Sequence, residues 1–132
     1  MASGEKTMSY PPPPWELKGH GVQTIHCVPT ADVRSLVPAE LDIVAVLPGK
    51  TLGVIAFAHY GPGSVLEYDE LIVAPAVVKR NGQYGVWISH IYVSHPDSVA
   101  GGREIWGVPK FLANFRWVER GTQRTVTATM DG

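Results

Sequence analysis

Apolar and polar positions follow strand-like spacing through most of this chain, punctuated by proline and glycine. His20–Val28 is rich in β-branched residues and predicts a strand that Pro29 closes. The spacing then becomes helical over Thr30–Val37, where Val33, Leu36 and Val37 share a face, Thr30 is placed to cap and Pro38 ends the run. Ile43–Leu47 and Thr51–Tyr60 predict two strands about a Pro48-Gly49-Lys50 turn. The second is apolar on both sides, with Leu52, Val54, Ala56 and Ala58 on one face and Ile55 and Phe57 on the other, so it should be covered twice. After the Gly61–Ser64 loop, Glu67-Tyr68-Asp69-Glu70 leads into a long apolar strand, Leu71–Val78. Asn81-Gly82 turns it, and Tyr84–Val93 returns as its partner. His95-Pro96-Asp97 breaks that strand, and Asp97 or Ser98 is placed to cap a short helix carrying Gly101-Gly102-Arg103-Glu104. Leu112–Val118 and Thr125–Met130 form two last strands around Gly121. The fold class expected is mostly β (α+β): an antiparallel sandwich or open barrel with two short helices, without a βαβ rhythm or an internal repeat.

At 132 residues the chain suffices for one domain. That domain is expected over residues 15–132, behind a flexible, proline-rich lead-in over residues 1–14. Within the lead-in, Met1–Ser9 is small and polar, and Pro11–Pro14 is a stiff approach to Trp15. Trp15 and Leu17 are the expected anchors to the core. Eleven Lys+Arg against twelve Asp+Glu give a net charge of -1, which lacks the basic excess of a nucleic-acid or membrane-surface binder. Cys27 is alone, so no internal disulfide forms. With no apolar run near the ~20 residues of a membrane helix and no signal-like apolar core at the start, the expected location is cytoplasmic.

The chemistry concentrates in Ala100-Gly101-Gly102-Arg103-Glu104-Ile105-Trp106-Gly107-Val108-Pro109-Lys110. Lys110 is flanked by apolar residues on both sides. A free lysine is neutral in only roughly one molecule in two thousand at pH 7. Burial lowers a lysine pKa by up to ~3–5 units, and the neutral amine then attacks ketones to form a Schiff base. The alternative is a snorkelling Lys110, its stem on Trp106 or Phe111 and its charge in water. Trp87 and Trp117 read as core. His20, His26, His59, His90 and His95 form no metal-binding pattern, and no glycine-rich phosphate loop is present.

The run Gly101–Lys110 resembles the signature of the acetoacetate decarboxylase superfamily. Pro14-Trp15, Leu36-Val37-Pro38-Ala39-Glu40-Leu41, Tyr68-Asp69-Glu70 and Thr127-Ala128-Thr129-Met130 support the resemblance in the same order. It implies a cone-shaped antiparallel β fold, a homo-oligomer, a small-molecule keto acid as substrate and no cofactor. It also implies that Lys110 forms the Schiff base and that Glu70 is the active-site glutamate beside the reacting carbon, suited to proton transfer. Without the resemblance, Glu70 reads as a strand-entry carboxylate in water.

Three positions depart from the family pattern. Phe111 stands where the decarboxylases have a second lysine, so desolvation alone would have to lower the Lys110 pKa, and Phe111 would add to it. A second active-site glutamate falls at Ile55. The N-terminal-strand arginine has no counterpart, Lys18 and His20 being nearest. Arg103 and Glu104 diverge on a helix, one toward a partner strand and one toward the substrate, with a structural salt bridge as the other option. Trp106 either walls the pocket or belongs to the core. The expected reaction is decarboxylation of a β-keto acid through a lysine iminium and enamine. The alternatives are aldolase-dehydratase chemistry by the same lysine and a non-catalytic binding module. The matched motifs span about the first half of a family member, so a fragment, or walls supplied by another chain, is expected, with an open edge that invites pairing.

Overall fold

The first strand, β1 (Gly19–Pro29), runs antiparallel to β3 (Lys50–Tyr60) along their whole lengths, from Gly19 opposite Tyr60 to Pro29 opposite Lys50. A computed structural model describes residues 10–130. The tail expected over residues 1–9 lies outside them.

Beyond β1 the expected helix is shorter than its pattern. It is one α turn, α1 (Thr30–Val33), followed by a 3-10 turn over Arg34–Leu36, and Thr30 is its first residue with no side-chain cap present. The strand expected over Ile43–Leu47 reduces to β2 (Asp42–Ile43) plus an isolated bridge between Leu47 and Lys50.

The two long strands expected on either side of Asn81-Gly82 are each divided. The first becomes β4 (Tyr68–Ala74) and β5 (Ala76–Arg80), and the second β6 (Gln83–Trp87) and β7 (His90–Val93). One register runs through both halves: Glu70 faces Val93, Val73 faces His90, Ala76 faces Trp87 and Arg80 faces Gln83. Pro75, which has no N–H to give a ladder, marks the break. A single hairpin therefore serves two sheets. Its inner half lies in a five-stranded sheet of order β1-β3-β4-β7-β8, and its outer half in a three-stranded sheet of order β2-β5-β6.

The last member of the larger sheet, β8 (Lys110–Leu112), pairs with β7 in parallel. Parallel neighbours need a crossover, and α2 (Pro96–Trp106) supplies it. The antiparallel expectation holds elsewhere, and one β-α-β unit stands against the reading that none occurs. The cap of α2 is also not the expected one. His95 occupies that position, its ring Nδ1 accepting from the Asp97 N–H at 3.0 Å, with Pro96 in the first turn. A separate hairpin, β9 (Asn114–Arg120) with β10 (Gln123–Thr129), completes the mostly β fold, whose sheets stay open.

Two small cores result. One gathers Val33, Val37, Ala76 and Val78, with Trp87 packed against it and donating its indole N–H to the Leu36 carbonyl at 2.9 Å. The other gathers Tyr68, Ile91 and Val93 from the larger sheet under Trp15, Leu17, Val99 and Val108. Trp15 and Leu17 thus anchor the lead-in as expected, while α2 covers the same sheet face. On the opposite face β9 packs against part of the sheet: Trp117 donates to Asp69 Oδ1 at 3.1 Å and Phe115 packs on Phe57. Strand β3 is therefore packed around Phe57 on that face, but Ile55, expected to be covered, stays 39% exposed, so the double cover its apolar faces predict is incomplete.

Thr51 joins the two sheets. Fully buried at the start of β3, its hydroxyl accepts the Val77 N–H of β5 at 3.2 Å. Thr51→Val keeps the shape and orphans that N–H, so urea unfolding should show a loss of about 1–3 kcal/mol, with a smaller loss for Thr51→Ser.

Candidate active site

Strand alternation puts Tyr68 and Glu70 of β4 on the sheet face that α2 covers, together with Tyr60 of β3 and Lys110 of β8. Lys110 enters from the Gly107-Val108-Pro109 turn, where Gly107 ends α2 at a positive φ of 66°. Its side chain is 7% exposed and that of Glu70 is 8% exposed. The snorkelling reading of Lys110 requires an ammonium in water, and this side chain is not there.

The amine has a defined set of neighbours. Nζ lies 3.5 Å from Glu70 Oε1 and donates to Ser98 Oγ at 3.1 Å. It also stands 5.2 Å from the Tyr68 ring centroid and 5.6 Å from that of Trp15. The second carboxylate oxygen, Glu70 Oε2, accepts the Tyr60 hydroxyl at 2.9 Å. Burial is the largest influence on Lys110 and holds its amine below the ordinary lysine range, while the charge of Glu70 and a hydrogen bond to it pull the other way. Burial first and the Glu70 charge second push Tyr68 up to about 12, against a hydrogen bond from Ser98. The same two causes, with its own hydrogen bond to Glu70, raise Tyr60 further.

The two glycines of α2 make this packing possible. A Cβ on Gly102 would come within 2.4 Å of Lys110 Cδ, and one on Gly101 within 2.5 Å of the Trp15 ring. Glycine inside a helix costs about 1 kcal/mol relative to alanine, and here each bare position admits a side chain against the helix. Ser98 lies four residues before Gly102 on the same helix face, fully buried.

The remaining expected site residues are placed elsewhere. Arg103 donates Nε–H to the Lys110 carbonyl at 2.9 Å and lays its guanidinium over the Phe111 ring, so it fixes β8 to α2 instead of meeting the amine. Glu104 accepts a hydrogen bond from the Tyr10 hydroxyl, the main cause of a raised Tyr10 pKa. Trp106 is half-exposed and meets Trp15 edge-on at 4.9 Å, supporting the ring above the amine. Phe111, next along β8 from Lys110, is on the other side of the strand, 52% exposed and beside Tyr92, so it does not desolvate the lysine. Ile55 and His20 also project from the face opposite Lys110 and Glu70. Ile55 is opposite Thr24 and Val73, and His20 packs against His59 and Trp117. Of the expected residues, Lys110 and Glu70 meet. Tyr60, Tyr68, Ser98, Trp15 and Gly102 join them, and the sequence reading had not placed them at the site. Among the described residues no group of three or more His, Cys, Asp or Glu is placed to hold a metal ion, and no helix is long and apolar enough to cross a membrane.

A desolvated lysine beside a carboxyl group is the equipment of a Schiff-base enzyme. The chain belongs to the acetoacetate decarboxylase family, whose family model matches residues 1–132. It is 32% identical over 113 residues to Protein NEOXANTHIN-DEFICIENT 1 of Arabidopsis thaliana, covering 84% of this chain and 40% of that protein. It is 32% identical over 114 residues to acetoacetate decarboxylase 3 of Mesorhizobium japonicum, covering 86% and 43%. Among solved structures, acetoacetate decarboxylase from Legionella pneumophila superposes with a TM-score of 0.72 at 20% identity, over 90% of this chain and 46% of that one. The enduracididine biosynthesis enzyme MppR, solved with the condensation product of pyruvate and imidazole 4-carboxaldehyde, gives 0.65 at 21%, over 91% and 47%. The chain spans less than half the length of each of these proteins.

Two outcomes are expected of the amine itself. In acylation mapped by mass spectrometry, Lys110 should gain its full intrinsic reactivity at lower pH than a free lysine side chain, because a lowered pKa frees the amine at lower pH. Gly102→Ala should displace the lysine stem and return that profile toward that of an ordinary lysine.

Proposed function

We propose that the protein is a Schiff-base lyase in which Lys110 decarboxylates a β-keto acid. The observation that carries this reading is the burial of Nζ 3.5 Å from Glu70 Oε1. A proton passing from the ammonium to Glu70 leaves a neutral amine and a carboxylic acid side by side. The nitrogen lone pair attacks the ketone carbon to give a carbinolamine. Glu70 protonates the departing hydroxyl, water leaves and the iminium forms. The bond to the substrate carboxylate then breaks, its electron pair flows into the iminium, and carbon dioxide departs from a neutral enamine. Protonation of the enamine carbon and hydrolysis release the ketone and restore the amine. Tyr60 holds Glu70 by its second oxygen, which aims the first at the nitrogen.

A second reading is condensation followed by loss of water through the same iminium. It is favoured by the fold likeness to MppR, whose structure holds such a condensation product. Both readings require Lys110. A non-catalytic module built around an exposed, charged lysine is disfavoured by the burial of the side chain.

Borohydride reduction with acetoacetate, read by intact mass and a peptide map, tests the shared step. An adduct on Lys110 is expected, and an unmodified, folded protein refutes the reading. Product analysis separates ketone and carbon dioxide from a condensation product. Lys110→Met should abolish turnover. Glu70→Gln should lower it by about 10²–10⁴-fold with little loss of thermal stability, as expected for a positioned acid-base group. A fully active Glu70→Gln would leave that carboxylate a purely structural role.

A further inference from the structure

On the sheet face opposite Lys110, three polar residues form one row across three strands. His20 of β1 lies directly opposite His59 of β3, and His59 lies directly opposite Asp69 of β4. Residues paired in this way put their side chains on one face. Glycines let β1 close on β3 around the first of them. A Cβ on Gly19 would come within 1.7 Å of the His59 carbonyl oxygen, and one on Gly21 within 2.7 Å of that of Phe57. The two imidazole centroids are 5.4 Å apart, and the Trp117 ring stands edge-on to both, 5.6 Å from His20 and 6.4 Å from His59. Hydrogen bonds fix one end of the row. Asp69 is largely buried, and its Oδ1 meets both His59 Nδ1 at 2.6 Å and the Trp117 indole N–H at 3.1 Å. A carboxylate only accepts, so Nδ1 carries the ring proton and Nε2 keeps its lone pair. Gly61 leaves that nitrogen room, since a Cβ there would lie 3.4 Å from Nε2.

We propose that His20 and His59 are the two protein ligands of a divalent transition-metal site suited to zinc, with water filling its other positions and Asp69 held behind His59. A carboxylate behind an imidazole is the usual outer partner of a metal-binding histidine, fixing its tautomer and strengthening the other nitrogen as a donor. Asp69 is not itself a ligand, because Oδ1 is engaged by two N–H groups. The spacing suits the ion. At ~2.0–2.1 Å from one nitrogen of each ring, a tetrahedral zinc holds the two centroids about 5 Å apart, against the 5.4 Å present. Imidazole donors match zinc, copper and nickel better than calcium or magnesium. His20 is exposed and His59 partly so, which leaves the ion a path from solvent. The histidines show no metal-binding spacing along the chain because strand register, not sequence neighbourhood, makes this pair. The site is independent of the Lys110–Glu70 chemistry on the other face.

The test is calorimetric titration of the full, untagged chain with zinc chloride after chelator treatment and buffer exchange. It is run on the wild type, His20→Gln, His59→Gln, Asp69→Asn and His26→Gln, with circular dichroism on each. The wild type should bind one equivalent. His20→Gln and His59→Gln should each weaken binding at least tenfold, and Asp69→Asn by about 10–100-fold through loss of the charged outer partner. His26→Gln, whose ring bonds to Thr24 instead, should match the wild type. No saturable uptake by the wild type overturns the site. So does binding of unchanged strength in His20→Gln, or a loss in His26→Gln as large as that in His20→Gln. His20 is exposed on an edge strand, so its variant reads the site even where His59→Gln or Asp69→Asn disturbs folding.

Discussion

The site depends on keeping an amine away from water while leaving it a carboxylate for company. A buried ammonium alone is costly, and a lysine paired too well remains charged and unreactive. Here desolvation outweighs the Glu70 attraction, and the amine is held below its ordinary range. Each part of the surrounding structure serves that balance. Trp15 from the lead-in and Tyr68 from β4 supply aromatic walls, α2 supplies the roof, and Arg103 holds the lysine backbone by its carbonyl. The neighbouring cation that Phe111 replaces is thus not needed to explain the direction of the shift.

The roof works because of what it lacks. Two adjacent glycines in an eleven-residue helix weaken it locally, yet one position holds the Lys110 stem and the other the Trp15 ring. The helix returns part of that loss through its ends, where the His95 ring satisfies an N-terminal N–H and Gly107 closes the C-terminus in the left-handed conformation. The same helix makes the crossover that lets β8 lie parallel to β7, which delivers Lys110 to the face of Glu70.

Lys110, Glu70, the two helices and most strands were legible in the sequence, because each rests on local pattern or on a long motif. What escaped depends on nonlocal register or on competing local roles. Ser98 fits the pattern of a helix cap as well as that of a buried contact, and its spacing of four from Gly102 is the one signal for the second. Pro75 inside an apolar run signalled that the strand would break, and apolar continuity masked it. Ile55 and His20 correspond to site positions of the family, but their faces are set by the register of β3 with β1 and β4, which the sequence does not display. Phe111 shows the simpler rule: a strand neighbour of the lysine necessarily points away from it.

Asp69 and Glu70 are consecutive residues of β4, each committed to a different layer. Asp69 Oδ1 meets His59 Nδ1 at 2.6 Å and the Trp117 indole, while Glu70 meets Lys110 and Tyr60 on the far side. A slip of β4 by one residue would exchange the two carboxylates, turning the shorter Asp69 toward the lysine and taking from both layers the groups that fit them. Two acids of different length thus act as a parity check on strand pairing. The misaligned sheet is penalised twice, and the Lys110–Glu70 pair forms in the correctly threaded one.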